Sequence, residues 1–116
     1  MSGLEGGCAC GELRYRLTAS PMFVHCCHCL NCQRQTGTAF VLNMLIEDSR
    51  LELLSGTPTA VAVPRDEGRL HRIFRCPKCQ VAVWSEYGGR SEVLFVRAGT
   101  LDDPATVSPD VSWSST

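Results

Sequence analysis

Apolar and basic residues alternate in Leu13-Arg14-Tyr15-Arg16-Leu17, which places three apolar side chains on one face and two arginines on the other. That is the pattern of a half-buried strand. Phe40 to Ile46 is an apolar run interrupted only by Asn43, long enough for a buried strand. Leu51 to Leu54, Thr59 to Val63, Leu70 to Phe74, Val81 to Trp84 and Val93 to Ala98 follow at short intervals. Their separators carry turn chemistry: Ser55-Gly56-Thr57-Pro58, Asp66-Glu67-Gly68 and Gly88-Gly89. Short strands at such spacing predict an all-β sandwich or folded sheet rather than βαβ units. Only Asn31 to Gln35 has the look of a helical turn. From Asp102 onward the chain is rich in Pro, Ser and Thr, and its last few residues are expected to fray.

The length of 116 residues predicts one domain spanning 1–116. At this size, burial covers about two-thirds of the surface an unfolded chain exposes, so any added cross-link matters. Eleven basic and twelve acidic residues leave a net charge of −1, with the arginines spread among the acids. A nucleic-acid partner calls for a basic excess or stripe, so none is expected. The run from Ala39 to Ile46 falls short of the roughly 18 apolar residues that span a bilayer, so no membrane partner is expected either. The first residues carry neither a basic start nor an apolar export core, which predicts a cytoplasmic protein with reduced thiols. Nothing in the pattern specifies an oligomeric state.

Against that compartment, the eight cysteines point to chemistry. They are bunched as Cys8/Cys10, Cys26/Cys27/Cys29/Cys32 and Cys76/Cys79, an arrangement that suits metal binding better than a disulfide framework. In Cys76-Pro77-Lys78-Cys79 a tight turn can point both sulfurs at one tetrahedral ion. In Cys8-Ala9-Cys10 alternate side chains of extended backbone share a face. Together the two pairs supply the four ligands of a closed structural zinc, joining the N-terminus to the last third of the chain.

The middle cluster offers Cys27, Cys29 and Cys32 as three ligands, the count that leaves a catalytic zinc one open position. Cys26 points away from Cys27 in extended backbone and reads as a packed or spare thiol. His28, between two ligands, should face the other way, as a supporting group or a surface residue. Three thiolates leave Zn²⁺ at a formal −1, poor at activating water and better suited to capturing an external thiol and keeping it ionised. Arg34 and the backbone N–H groups after Cys32 are candidate donors for the added charge; Arg34 reads equally well as an ordinary surface arginine.

Three segments carry a resemblance. Gly6-Gly7-Cys8-Ala9-Cys10-Gly11-Glu12-Leu13-Arg14-Tyr15, then Cys27-His28-Cys29-Leu30-Asn31-Cys32-Gln33-Arg34-Gln35-Thr36-Gly37, then Phe74-Arg75-Cys76-Pro77-Lys78-Cys79 resemble the glutathione-dependent formaldehyde-activating enzyme family, in that family's order. Centromere protein V shares the domain. The likeness runs from about Gly6 to Leu101, with Gln80 standing where the family usually has glycine and Cys26 as an extra thiol. It implies a β-tent-like fold of folded antiparallel sheets with two zinc ions per chain. Cys8, Cys10, Cys76 and Cys79 would hold the structural ion, and Cys27, Cys29 and Cys32 the catalytic one. It also implies a carbon–sulfur lyase that joins formaldehyde to glutathione, giving S-hydroxymethylglutathione, with a glutathione-like small thiol as partner. The competing reading is a zinc-stapled binding module without catalysis. The open three-ligand site favours the enzyme. A redox sensor built on the Cys26 cluster ranks third.

Overall fold

The structure, a computed structural model, describes residues 4–64, 70–87, 90–107 and 109–113. Among them are β1 (Leu4–Gly7), β2 (Arg14–Leu17), β3 (Phe23–Cys27), α1 (Leu30–Thr36), β4 (Val41–Glu47), β5 (Leu51–Ser55), β6 (Thr59–Pro64), β7 (Leu70–Arg75), β8 (Ala82–Tyr87), β9 (Arg90–Arg97) and β10 (Val111–Trp113). The expected turns at Asp66-Glu67-Gly68 and Gly88-Gly89, and the fraying expected beyond Trp113, lie outside the described residues.

Strands β1, β2 and β5 form a three-stranded antiparallel sheet. The other seven form a second sheet in the order β10-β3-β4-β9-β8-β7-β6. Its pairings are antiparallel except β10 on β3, which is parallel. The mainly β architecture is the one that the alternating and short apolar runs predict, and its antiparallel sheets are those that the resemblance implies. No helix among the described residues is long and apolar enough to cross a membrane.

The alternation in β2 has its expected result. Tyr15 and Leu17 are fully buried, while Arg14 and Arg16 turn outward to ion pairs with Glu5, Glu52 and Asp102. Behind Leu13, Tyr15 and Leu17 lies one face of the large sheet, with Val24, Met44, Ile46, Trp84, Leu94 and Val96 in the same core. Tyr15 meets Trp84 edge to face, with centroids 6.2 Å apart, and its hydroxyl lies 2.7 Å from Thr100 Oγ1. Burying such a layer supplies most of the stabilisation of a small β domain. Gly6 lets β1 close over this core, because a Cβ there would come within 2.6 Å of Tyr15 Oη and collide with the Thr100 carbonyl.

Helix α1 has seven residues, too few to persist alone in water. Its ends are specified locally. Cys29 caps the N-terminus by accepting from the Cys32 N–H, and Gly37 takes a left-handed φ of 68° and donates its N–H to Gln33 O at 2.7 Å. This helix and β3 present the middle cysteines.

Candidate metal centres

Two groups of cysteines converge. The sulfurs of Cys8, Cys10, Cys76 and Cys79 all lie within 4.8 Å of one another, as do those of Cys27, Cys29 and Cys32. None of the eight cysteines is in a disulfide.

The four-sulfur group joins the turn after β1 to the turn between β7 and β8. Cys8 Sγ and Cys10 Sγ are 3.6 Å apart, as are Cys10 Sγ and Cys76 Sγ. A tetrahedral ion with zinc–sulfur bonds of about 2.3 Å would separate its ligands by about 3.8 Å, so the spacing suits such an ion. Backbone N–H groups also point at the sulfurs: Leu13 to Cys8 at 3.2 Å, Lys78 to Cys76 at 3.3 Å and Cys79 to Cys76 at 3.4 Å. N–H donors of this kind favour the thiolate form a metal needs.

The proton affinities show why a cation belongs there. The Val81 N–H, with the Cys10 backbone and the Cys76 and Cys10 side chains, holds the Cys79 thiol down at about 6. The Glu12 N–H pulls Cys10 the same way, but partial burial and the neighbouring sulfurs Cys8, Cys76 and Cys79 outweigh it and push that thiol up to about 11. Crowded thiols cannot all ionise unless positive charge joins them.

Gln80 closes the Cys76–Cys79 turn in a left-handed conformation, φ 66°. Its N–H donates to Cys76 O at 2.9 Å, and its carbonyl accepts from Arg75 Nη1 at 2.8 Å. A side chain in this region costs roughly 1–2 kcal/mol, which is the physical reason glycine suits the position. Gln80→Gly should therefore raise stability by about 0.5–1 kcal/mol after the added unfolded-state freedom is subtracted. Thermal melts of the zinc-loaded proteins check this, and an unchanged or lower midpoint would show that no strain resides there.

In the three-sulfur group, Cys27 Sγ lies 3.4 Å from Cys29 Sγ and 3.0 Å from Cys32 Sγ. Strand β3 ends on Cys27, Cys29 caps α1, and Cys32 sits in its first turn, so a strand end and a helix start bring the sulfurs together. Val41, opposite Cys27 on β4, packs against the group and supplies an apolar wall. Burial first, then the neighbouring Cys27 and Cys29, push the Cys32 thiol upward. This crowd of sulfurs likewise needs a cation to stay ionised. Both groups can hold a metal ion, and their all-sulfur donor sets suit zinc.

Cys26 is buried and belongs to neither group among the described residues. It pairs with Leu42 while Cys27 pairs with Val41, so the two neighbours diverge across the sheet. His28 turns to the Cys26 side, with Nε2 3.4 Å from Cys26 Sγ and its ring 5.6 Å from that of Phe40. Arg34 lies exposed in the last turn of α1, beside a shallow groove of about 420 Å³ that includes Leu30 and Thr38.

A set of residues absent from the motif reading adjoins the helix. Gln35 of α1 bridges His71 Nδ1, at 3.0 Å, and Arg97, whose Nη2 donates to Gln35 Oε1 at 3.2 Å. Arg97 Nη1 donates to Asn43 Oδ1 at 2.8 Å. The available signal was polar residues in apolar strands: Asn43 inside Phe40–Ile46 and Arg97 inside Val93–Ala98.

A crystal structure of a Rhodobacter sphaeroides protein is similar in fold, with a TM-score of 0.68 and 15% identity over 95% of this chain and 100% of that one. No curated protein matches the chain. The model of the glutathione-dependent formaldehyde-activating enzyme family matches residues 3–115, a span that holds both cysteine groups. The chain belongs to the glutathione-dependent formaldehyde-activating enzyme family.

Proposed function

We propose that this protein is a zinc-dependent carbon–sulfur lyase acting on the adduct of glutathione, or a similar small thiol, with an aldehyde, as in S-hydroxymethylglutathione. The observation that carries the reading is the contrast between the two cysteine groups. Four sulfurs close one, whereas Cys27, Cys29 and Cys32 meet with no fourth cysteine, histidine or carboxylate among the described residues. A zinc ion in that group would offer its open position to the thiol sulfur and keep it ionised at neutral pH.

In the synthetic direction the sulfur forms a bond to the aldehyde carbon, and the thiol proton ends on the aldehyde oxygen. The reverse reaction breaks the same bond. The chain's own residues prepare the place. Cys27, Cys29 and Cys32 hold the ion, the Cys32 N–H donates to Cys29 Sγ at 3.4 Å, and Val41 walls the group with apolar surface. Arg34, exposed in the last turn of α1, is the candidate supporting donor for the thiol. Cys8, Cys10, Cys76 and Cys79 hold a second, structural zinc, giving two ions per chain in a single domain. A cytoplasmic setting would supply the reduced thiol.

Zinc content separates the roles. Because Cys26 faces away from the group, Cys26→Ser should keep two ions per chain and the wild-type rate of S-hydroxymethylglutathione formation from glutathione and formaldehyde. Elemental analysis and the assay check both. Loss of one ion in Cys26→Ser would make the middle site a closed four-ligand centre and remove the basis for catalysis.

A further inference from the structure

The face of the large sheet that carries Cys27 also carries a buried polar layer that the cysteine chemistry does not use. His25, Asn43 and Arg97 stand opposite one another on β3, β4 and β9, and all three are buried. Arg97 is only 6% exposed and makes no ion pair among the described residues. Of its five N–H donors, Nη1 and Nη2 each serve one amide oxygen, from Asn43 and Gln35. Its Nε–H has no partner there, and Asn43 Nδ2 has none either. A cation out of water without a carboxylate is costly, and unsatisfied donors beside it mark a place short of negative charge.

Arg97 also lines a cleft of about 300 Å³ together with Thr36, Thr38, Val41 and Gly99. Val41 packs against Cys27 and Cys32, and Thr36 ends the helix that carries Cys32. The cleft therefore adjoins the three-sulfur group.

We propose that Arg97 anchors a carboxylate in this cleft, so that the site selects a thiol bearing an anionic group over a neutral one. The inference rests on the reading that the thiol sulfur binds at the three-sulfur group. It assigns the anion to Arg97 rather than to exposed Arg34, because charge attraction is weakly screened at a buried guanidinium and strongly screened at a solvated one. Thr36 and Thr38 line the same cleft.

The test uses the zinc-loaded protein and two thiols of equal length, 3-mercaptopropionate and 3-mercaptopropionamide, titrated calorimetrically. The acid should bind about tenfold more tightly than the amide, the order expected of one charge-assisted contact. Arg97→Gln should erase that ratio by weakening the acid far more than the amide, and Arg97→Lys should retain part of it. Equal binding of acid and amide to the wild type, or an undiminished ratio in Arg97→Gln, overturns the proposal. Should Arg97→Gln fail to fold, the wild-type NMR signal of Arg97 Nε–H decides: it should shift with the acid and not with the amide, and an unmoved signal counts against the anchor. If neither thiol binds, the thiol reading of the metal group fails separately. Butyrate, which lacks sulfur, then tests the anchor alone: a saturable shift of the Nε–H signal upholds it and no shift removes it.

Discussion

Cys76→Ser should leave the protein without its closed zinc and largely unfolded at room temperature. Cys76 is fully buried, lies in the hydrophobic core, and accepts N–H groups from both Lys78 and Cys79. Structural zinc contributes about 10–16 kcal/mol of binding free energy in small domains, against a total stability of about 5–15 kcal/mol. Even a fraction of that loss outweighs what the core retains. The ion would tie the turn after β1 to the β7–β8 turn, so its removal takes away one of the links between the small sheet and the large one. Circular dichroism and zinc analysis together check the expectation. A Cys76→Ser protein with wild-type melting and two ions per chain would show that the four sulfurs hold nothing.

Cys29→Ser should behave differently: folded, one ion poorer, and inactive. Cys29 has two roles, and serine can fill only one. As N-cap it accepts from the Cys32 N–H, a task serine performs well. As a zinc ligand it has no substitute. Losing a group that merely supports a ligand costs about 10–100-fold in metal affinity, so losing the ligand itself should cost more than about a hundredfold. S-Hydroxymethylglutathione formation should fall to the uncatalysed rate. Retained activity in a Cys29→Ser protein with one zinc would place the chemistry elsewhere.

How much of this was legible beforehand depended on the range of the interactions involved. The Leu13–Leu17 alternation is a local signal, and the burial of Tyr15 and Leu17 reproduces it. The sulfur pairs are also local, because a gap of one or two residues already restricts where two thiols can point. Strand β1 was illegible: Leu4-Glu5-Gly6-Gly7 has little strand propensity, and what positions it is the fit of Gly6 against Tyr15 and its bridge to Leu101, far along the chain. Strand β3 hid for another reason. Four of its five residues are buried, so it shows no alternation, and its cysteines read as chemistry rather than as strand. The three residues of β10 are a strand only because β3 lies beside them. The Arg97 layer needed both the register of β3, β4 and β9 and the docking of α1, neither of which residue spacing specifies. Asn43 and Arg97 show in the sequence as polar residues in apolar strands, without showing what they face.

The central claim is that Cys27, Cys29 and Cys32 form an open metal centre that receives a thiol. Replacing zinc with cobalt and titrating with glutathione tests it most directly, since each added sulfur ligand changes the charge-transfer absorption and the geometry of the ion. The account predicts a saturable change at one glutathione per chain, undiminished in Cys26→Ser and absent in Cys29→Ser. A fully cobalt-loaded protein whose spectrum ignores glutathione and every other small thiol would contradict it.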